Sequence, residues 1–482
     1  MTKPRGLRSL VTDAAVYGAA RTLVKFVHVF MIPIYTRYLA ISEYGIIENL
    51  NALAQMLLPL FGAALPAAVV QRYAGADRDD ERAAVVSSAA AATLALGGGM
   101  LLAGVASAGA LGALLVRGTS SENHAILLLA FVGNSMTLQS VVYLAILRAR
   151  FDKRRYLVAS LVAALGTVGL NLVFVIGLEL GVKGTLLAGA LAQAAATLYC
   201  HRALREWIRL NALSMPLVRG LLAFGVPFML SGFLIAIVRS SDRYLISLLV
   251  DDPLPKIALY GMAEKCMFPL VLASSAFGMA WAPFALAVSR QADARDVHVR
   301  TFRFYVSVTA LLLVASAMLA PVVLRILTTP AYYPSARFTP AVGLYLALNY
   351  LAYIGSLGFL LTGRSRAMAP IVAVAAAVNV ALNVLLIPRF AVMGAIWATV
   401  AAFVAYNLLM FAVGERHERV GFPVWRGFAV YALAYVAGEV ALLGIVHGVV
   451  AFAAFALVLQ ALGFLDLQRL PGLVRSLSRR AA

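Results

Sequence analysis

Tyr17, Arg21, Lys25 and His28 recur at spacings of four, four and three, which at 3.6 residues per turn puts all four on one helical face. The residues between them are apolar, so this stripe carries two permanent cations and a titratable imidazole into a segment that otherwise reads as a membrane span. Insertion scales place a central Arg or Lys at about +3 kcal/mol and each Leu, Ile, Phe or Val at about −0.3 to −0.6 kcal/mol, so two cations offset roughly ten good apolar residues. Arg21 alone could sit shallow and snorkel to the headgroups. Lys25 and His28 lie too deep for that, so the stripe should face a helix bundle or a water-filled cavity, where a cationic wall could hold an anion.

A second charged group falls near one end of a later apolar segment, at Arg239, Asp242 and Arg243, and Glu264 and Lys265 open the segment after it. Two acids beside three bases could neutralise one another as an ion-pair network, or gate a charged substrate. Glu48 shares a helical face with Asn51 and Gln55. Burial raises a carboxylate's pKa and a nearby cation lowers it, which makes Glu48 a candidate proton carrier. The alternative is a helix carboxylate satisfied by Asn49 or by the headgroup layer.

The elements that must position these groups are membrane helices. Of the residues, 62% are apolar and 13% charged, about half the charge of a soluble domain, and the mean hydropathy is +0.89. Apolar windows of roughly 20 residues follow one another along almost the whole chain and predict about fourteen spans. They fall at 11–37, 44–71, 84–116, 124–147, 156–179, 183–201, 218–249, 257–288, 301–326, 338–361, 368–388, 391–413, 425–444 and 446–464. The fold class is therefore an all-α polytopic membrane protein. The net charge of +19 does not mark a nucleic-acid partner, because Lys and Arg cluster in alternate loops, for example Arg148 to Arg155 and Arg290 to Arg300. That alternation makes the basic side cytoplasmic and places both termini there. Arg21 and Lys25 interrupt the first apolar run, and no small-residue cleavage site follows it, so no removable signal is expected. Cys200 and Cys266, the only cysteines, form no spaced metal pattern. No Walker sequence is present, and no cofactor or metal is expected.

The chain repeats itself. Tyr44, Gly45 and Glu48, then Phe61, Gly62 and Ala64, return as Tyr260, Gly261 and Glu264, then Phe277, Gly278 and Ala280. Six predicted helices separate the copies, and an even number restores the same orientation, so the halves should be parallel repeats about an axis along the membrane normal. A weaker correspondence, needing a short gap, links Asn171, Gly181, Val182 and Gly184 to Asn383, Pro388, Val392 and Gly394. The expected division is a first lobe at 1–213, a second at 214–415, and a last helix pair with a basic tail at 416–482. Between the lobes, His201 to Arg219 suits either a helix lying on the cytoplasmic surface or a plain basic linker.

Local patterns in the chain carry a resemblance. Ile41-Ser42-Glu43-Tyr44-Gly45, Ser241-Asp242-Arg243, Leu259-Tyr260-Gly261-Met262-Ala263, Ala280-Trp281-Ala282-Pro283-Phe284, and the run from Val378-Asn379 through Asn383 and Pro388 to Ala398-Thr399 resemble the polysaccharide transport branch of the MOP exporter superfamily, the Wzx-type flippases. Where that family more often has a glycine, this chain has Ala391, which touches a turn. The resemblance implies a V-shaped pair of six-helix lobes with an added C-terminal pair. It also implies an inner-membrane flippase in O-antigen or other lipopolysaccharide synthesis, carrying an undecaprenyl-diphosphate-linked oligosaccharide from the cytoplasmic to the periplasmic leaflet by alternating access. A diphosphate needs compensating cations, and Arg21, Lys25, Arg239, Arg243 and Lys265 would supply them, with His28 beside the first two. Glu48, Asp242, Glu264 or His28 could carry a coupling proton or sodium ion. A glycan polymerase and a chain-length regulator are the implied protein partners.

Three rival readings differ in testable features. A flippase for the peptidoglycan precursor shares the superfamily. Drug/cation antiporters of the superfamily usually lack the last helix pair and prefer acidic cavities. Glycan polymerases and ligases generally carry a long periplasmic catalytic loop, whereas the outer loops expected here, such as Asp251 to Pro255, are short.

Overall fold

The computed structural model describes residues 29–465, residue 63 aside, and these are helical with no strand among them. Helix α1 occupies 29–38 of the described chain. It is followed by α2 (Ile41–Gly62), α3 (Leu65–Ala74), α4 (Asp79–Leu115), α5 (Ser120–Ala149), α6 (Lys153–Asn171), α7 (Gly181–Leu204) and α8 (Met215–Leu249). The rest of the chain forms α9 (Pro253–Cys266), α10 (Phe268–Val288), α11 (Ala294–Leu327), α12 (Thr339–Gly355), α13 (Leu357–Thr362), α14 (Met368–His417), α15 (Val424–Ala441) and α16 (Ile445–Ala461). Among the described residues eight helices are long and apolar enough to cross a membrane, or nine when the two arms of α8, Met215–Val226 and Phe228–Leu249, count as one bent span. Within the described residues each expected segment meets helix, although several meet it in pieces. The span over 257–288 is split between α9 and α10, and α14 joins two expected spans across a break at Ala391.

Local chemistry sets the helix ends. Thr119 and Glu122 form a reciprocal capping box at the start of α5, the Asp152 carboxylate accepts from the Arg155 amide at 3.1 Å, and the Ser214 hydroxyl starts α8 by accepting from the Leu217 amide. Each satisfies an amide that has no partner within its helix. The stretch from Arg205 to Ser214 is a linker, not the surface helix that its mixed composition also suited, for it holds only a short 3₁₀ turn at Leu210–Ala212. It is clamped onto α4: the Ser87 hydroxyl donates to Trp207 O at 3.0 Å and accepts from the Arg209 amide at 2.9 Å. The Arg150 guanidinium lies 4.0 Å over the Trp207 ring, the cation–π arrangement. Those fixed partners hold the backbone too firmly for a helical register.

Two compact units form, one reaching to Ala258 and the other starting at Leu259. In the first, α4 lies along α5, and α5 along α7. Approach is close because α4 presents small residues: a Cβ on Gly104 would fall 2.5 Å from the Phe131 ring, the close-packing device of membrane helices. Gly97 of the Gly97–Gly99 run packs the same way, against the Ser135 hydroxyl, whereas Gly98 has nothing within 4 Å. Helix α8 packs against α2 and α4, so the compact unit extends past residue 213, where the repeat alone puts its division. In the second unit α12 is buried along most of its length. Helices α15 and α16 pack on α11, tied by Thr309 to the Tyr431 hydroxyl at 2.8 Å and by Ser307 to Phe464 O at 3.0 Å. They are part of that unit.

The two copies of the repeat share packing features but not continuity, the first running unbroken through α2 and the second interrupted between α9 and α10. Tyr44 and Tyr260 are each fully buried. Gly62 faces Leu138 of α5, and Gly278 faces the Tyr353 ring on α12, the corresponding helix of the other half. The weaker correspondence holds as well: Gly181 has φ +56° and Ala391 has φ 48°. Each begins a helix that doubles back so tightly that a Cβ on Gly184 would meet Phe174 O at 3.0 Å, and one on Gly394 would meet Leu386 O at 2.4 Å.

Candidate functional site

Helix α8 carries a fully buried ion pair. Asp242 and Arg243 are adjacent, a spacing at which side chains on a helix diverge, but the arginine curls back so that its Nη1 donates to Asp242 Oδ1 at 3.2 Å. The same oxygen accepts from the Arg243 amide at 2.8 Å, and Nη1 also donates to the Arg239 carbonyl at 3.4 Å. The side chains are 3% and 0% exposed. Two charges withdrawn from water this far are held by attraction and hydrogen bonds, which offset the cost of their burial. Arg239, a turn earlier, is exposed.

The C-terminal end of α8 is tied to α2 and α4. Asn49 of α2 donates to Leu115 O at 3.0 Å and to the Ser247 hydroxyl at 3.1 Å, and Arg117 donates to Ser247 O. Three elements are thus stitched through one serine. Nearby, a Cβ on Gly45 would lie 2.1 Å from Leu254 O, so only a glycine lets the first turn of α9 touch α2. Glu48, next to Asn49, is 4% exposed, whereas Asn51 and Gln55 are exposed. The polar face expected from spacing alone is therefore divided between a buried carboxylate and two uncovered amides.

In the second unit Glu264, the repeat counterpart of Glu48, accepts a hydrogen bond from the Tyr345 hydroxyl. Tyr345 stacks on Phe403 with ring centroids 6.4 Å apart, so α14 backs the phenol that joins α12 to α9. Lys265 is half-buried on the following position. Arg21, Lys25 and His28 lie outside the described residues. Of the residues singled out by sequence, the structure joins Asp242 to Arg243 within one unit and gives Glu264 a phenol partner in the other. It adds Asn49, Arg117, Ser247 and Tyr345, whose spacing carried no sequence signal because their partners lie far along the chain. Among the described residues no cluster of His, Cys, Asp and Glu is arranged to hold a metal ion.

Two recesses lie at the basic ends of the units, in corresponding corners of the repeat. The one at the α3–α4 corner, of about 680 Å³, includes Gln71, Arg72 and Glu81 in its lining. The one at the α10–α11 corner, of about 710 Å³, is walled by Phe277, Trp281, Phe284 and Phe304, with Asp293 and Arg300 also lining it. Phe277 stacks on Trp281 at 5.5 Å, and Trp281 meets Phe284 at 6.3 Å. The Trp281 indole N–H is buried with no hydrogen-bond partner among the described residues.

Solved structures of transporters share this arrangement of helices. An inward-facing multidrug resistance MATE family transporter of the MOP superfamily superposes with a TM-score of 0.69 at 16% identity, covering 83% of this chain and 94% of its own. The lipid II flippase MurJ, in an inward closed conformation, gives 0.68 at 12% identity over 92% and 98%. A MOP superfamily transporter from Pyrococcus furiosus gives 0.60 at 16% identity over 85% and 94%. At these identities the likeness establishes the fold, that of the MOP superfamily. No curated protein matches the chain by sequence. The sequence profile described as polysaccharide biosynthesis protein matches residues 10–285, more than half of the 482 residues, and the chain belongs to that family.

Proposed function

We propose that the chain is a flippase that carries an undecaprenyl-diphosphate-linked oligosaccharide repeat unit from the cytoplasmic to the periplasmic leaflet of the bacterial inner membrane. The observation that carries this reading is the match to the polysaccharide biosynthesis family in a chain with the same fold as a lipid II flippase. The chemistry agrees with it. A diphosphate taken through hydrocarbon needs fixed cations around it, and Arg21, Lys25, Arg239, Arg243 and Lys265, with His28, are the residues we assign to that task. Positive-inside loops put the termini in the cytoplasm. Transport proceeds by alternating access of the two repeat-related lobes, 1–213 and 214–415, with 416–482 as an accessory pair and tail. Glu48, Asp242 and Glu264 are the groups we assign to ion coupling, since each is an acid set in an apolar bundle.

Deleting the chain should cause the lipid-linked unit to accumulate on the cytoplasmic leaflet and should remove the surface glycan, and purified protein in liposomes should restore its translocation. Normal glycan display in the deletion strain would rule the reading out. The likeness to MurJ supports a second cargo, the peptidoglycan precursor. That cargo makes a different prediction, because depletion would then stop growth outright, whereas loss of a surface glycan is usually survived.

A further inference from the structure

We propose that the aromatic recess at the α10–α11 corner seats the isoprenoid segment next to the phosphate of a polyprenyl phosphate lipid, with Arg300 reading the phosphate; this rests on the flippase reading above. Four observations lead there. First, the walls are flat rings, and trisubstituted alkenes with their methyl branches present matching flat faces, whereas a saturated acyl chain does not. The volume of about 710 Å³ is that of a pocket for a drug-sized ligand, so it would take the head-proximal units and leave the long tail in the bilayer.

Second, the lining carries an exchangeable cation. Arg300 Nη2 is 3.7 Å from Asp293 Oδ2 with both side chains more than half exposed. A pair that exposed contributes little, so a phosphate can displace Asp293 and gain a charge-assisted contact. Third, the wall is preformed: Trp281 is 3% exposed and its ring is held between Phe277 at 5.5 Å and Phe284 at 6.3 Å. Fourth, the matching corner of the first unit has a similar volume but includes Gln71, Arg72 and Glu81 in its lining. The fold makes the recess in both halves, but only the second half walls it with four aromatic rings.

The test uses the full chain in phosphatidylcholine nanodiscs, with retention of added lipid read by native mass spectrometry. The probes are a polyprenyl phosphate, phosphatidic acid, the uncharged polyprenol and inorganic phosphate. Ala280, exposed on the recess wall, becomes a plug in Ala280→Trp without disturbing a core position. Retention of the polyprenyl phosphate should fall by about tenfold in that variant, the scale on which one pocket contact discriminates. Arg300→Gln should lower retention of the polyprenyl phosphate but not of the polyprenol. Phe304→Gln, at a ring 60% exposed, serves as a second plug-independent variant should Ala280→Trp fail to fold. Equal retention of phosphatidic acid by the wild type, displacement by inorganic phosphate, or unchanged retention in the folded variants would overturn the proposal. Translocation of the glycan lipid by the wild type is measured in parallel. Flipping with unaltered binding in the variants removes the recess alone, whereas a wild type that binds the lipid but never flips a cargo removes the flippase reading.

Discussion

At the scale of single residues, the question is whether a buried charge holds the protein together or waits for a cargo, and the Asp242–Arg243 pair can answer it. Asp242→Asn should cost about 3–5 kcal/mol of stability, because it breaks a buried ion pair from one side. The double change Asp242→Leu/Arg243→Met should recover most of that loss, since two apolar side chains of similar volume need no pairing. If the double variant folds with a near-normal thermal midpoint in detergent and still fails to move the lipid-linked glycan, Arg243 acts on cargo; if transport survives, the pair is structural. The stripe of Arg21, Lys25 and His28 gives a prediction from sequence alone. Arg21→Ala/Lys25→Ala should abolish glycan display with the protein inserted and abundant, and unchanged display would remove the cationic wall from the mechanism.

At the scale of elements, the turn inside α14 is the clearest case of strain. Ala391 sits at φ 48°, ψ −124°, a region that an L side chain enters at a cost of order 1–3 kcal/mol, and the corresponding turn before α7 has a glycine, Gly181, at φ +56°. Ala391→Gly should therefore stabilise the protein by about 1 kcal/mol after the added freedom of the unfolded chain is subtracted. A thermal midpoint in detergent that stayed level or dropped would show that the turn is relaxed. The opposite substitution in the other half, Gly181→Ala, adds the same backbone cost, and its new Cβ would lie 2.5 Å from Glu43 Oε1. Glu43 is itself engaged, accepting from the Ala40 amide at 2.8 Å at the start of α2, so the loss there should exceed the gain at Ala391.

At the scale of the whole molecule, α8 is the informative element. It opens the second sequence repeat but packs against α2 and α4 of the first, with Asn49, Ser247 and Arg117 joined at its C-terminal end. A transporter that exposes its cargo site to each side in turn must part helices drawn from its two repeats, and this polar knot is a contact that such a cycle would break. Asn49→Cys/Ser247→Cys, joined by a short cleavable bis-thiol reagent, should arrest glycan translocation, and reduction should restore it. Translocation at full rate in the cross-linked protein would mean that α2 and α8 stay together throughout the cycle. Cys200 and Cys266 are buried and should not compete for the reagent.

Composition, the alternation of basic loops and the twice-written Tyr-Gly-x-x-Glu pattern were enough to predict a bundle of repeated membrane helices, because hydrocarbon obliges the backbone to satisfy its own hydrogen bonds and so makes every long apolar window a helix. The turn at Ala391 was legible through the family resemblance, since that family more often has a glycine there. The partners of the polar groups were not. Asn49 meets Ser247 across 198 positions of chain, Tyr345 reaches Glu264 across 81, and Trp281 joins an aromatic wall completed by Phe304 from the next helix. Periodicity reports which face of a helix a residue occupies; which other helix that face meets depends on packing and close approach, as at Gly45 and Gly104. The tertiary structure alone decided that α8 belongs to the first unit and that the second unit carries an aromatic recess.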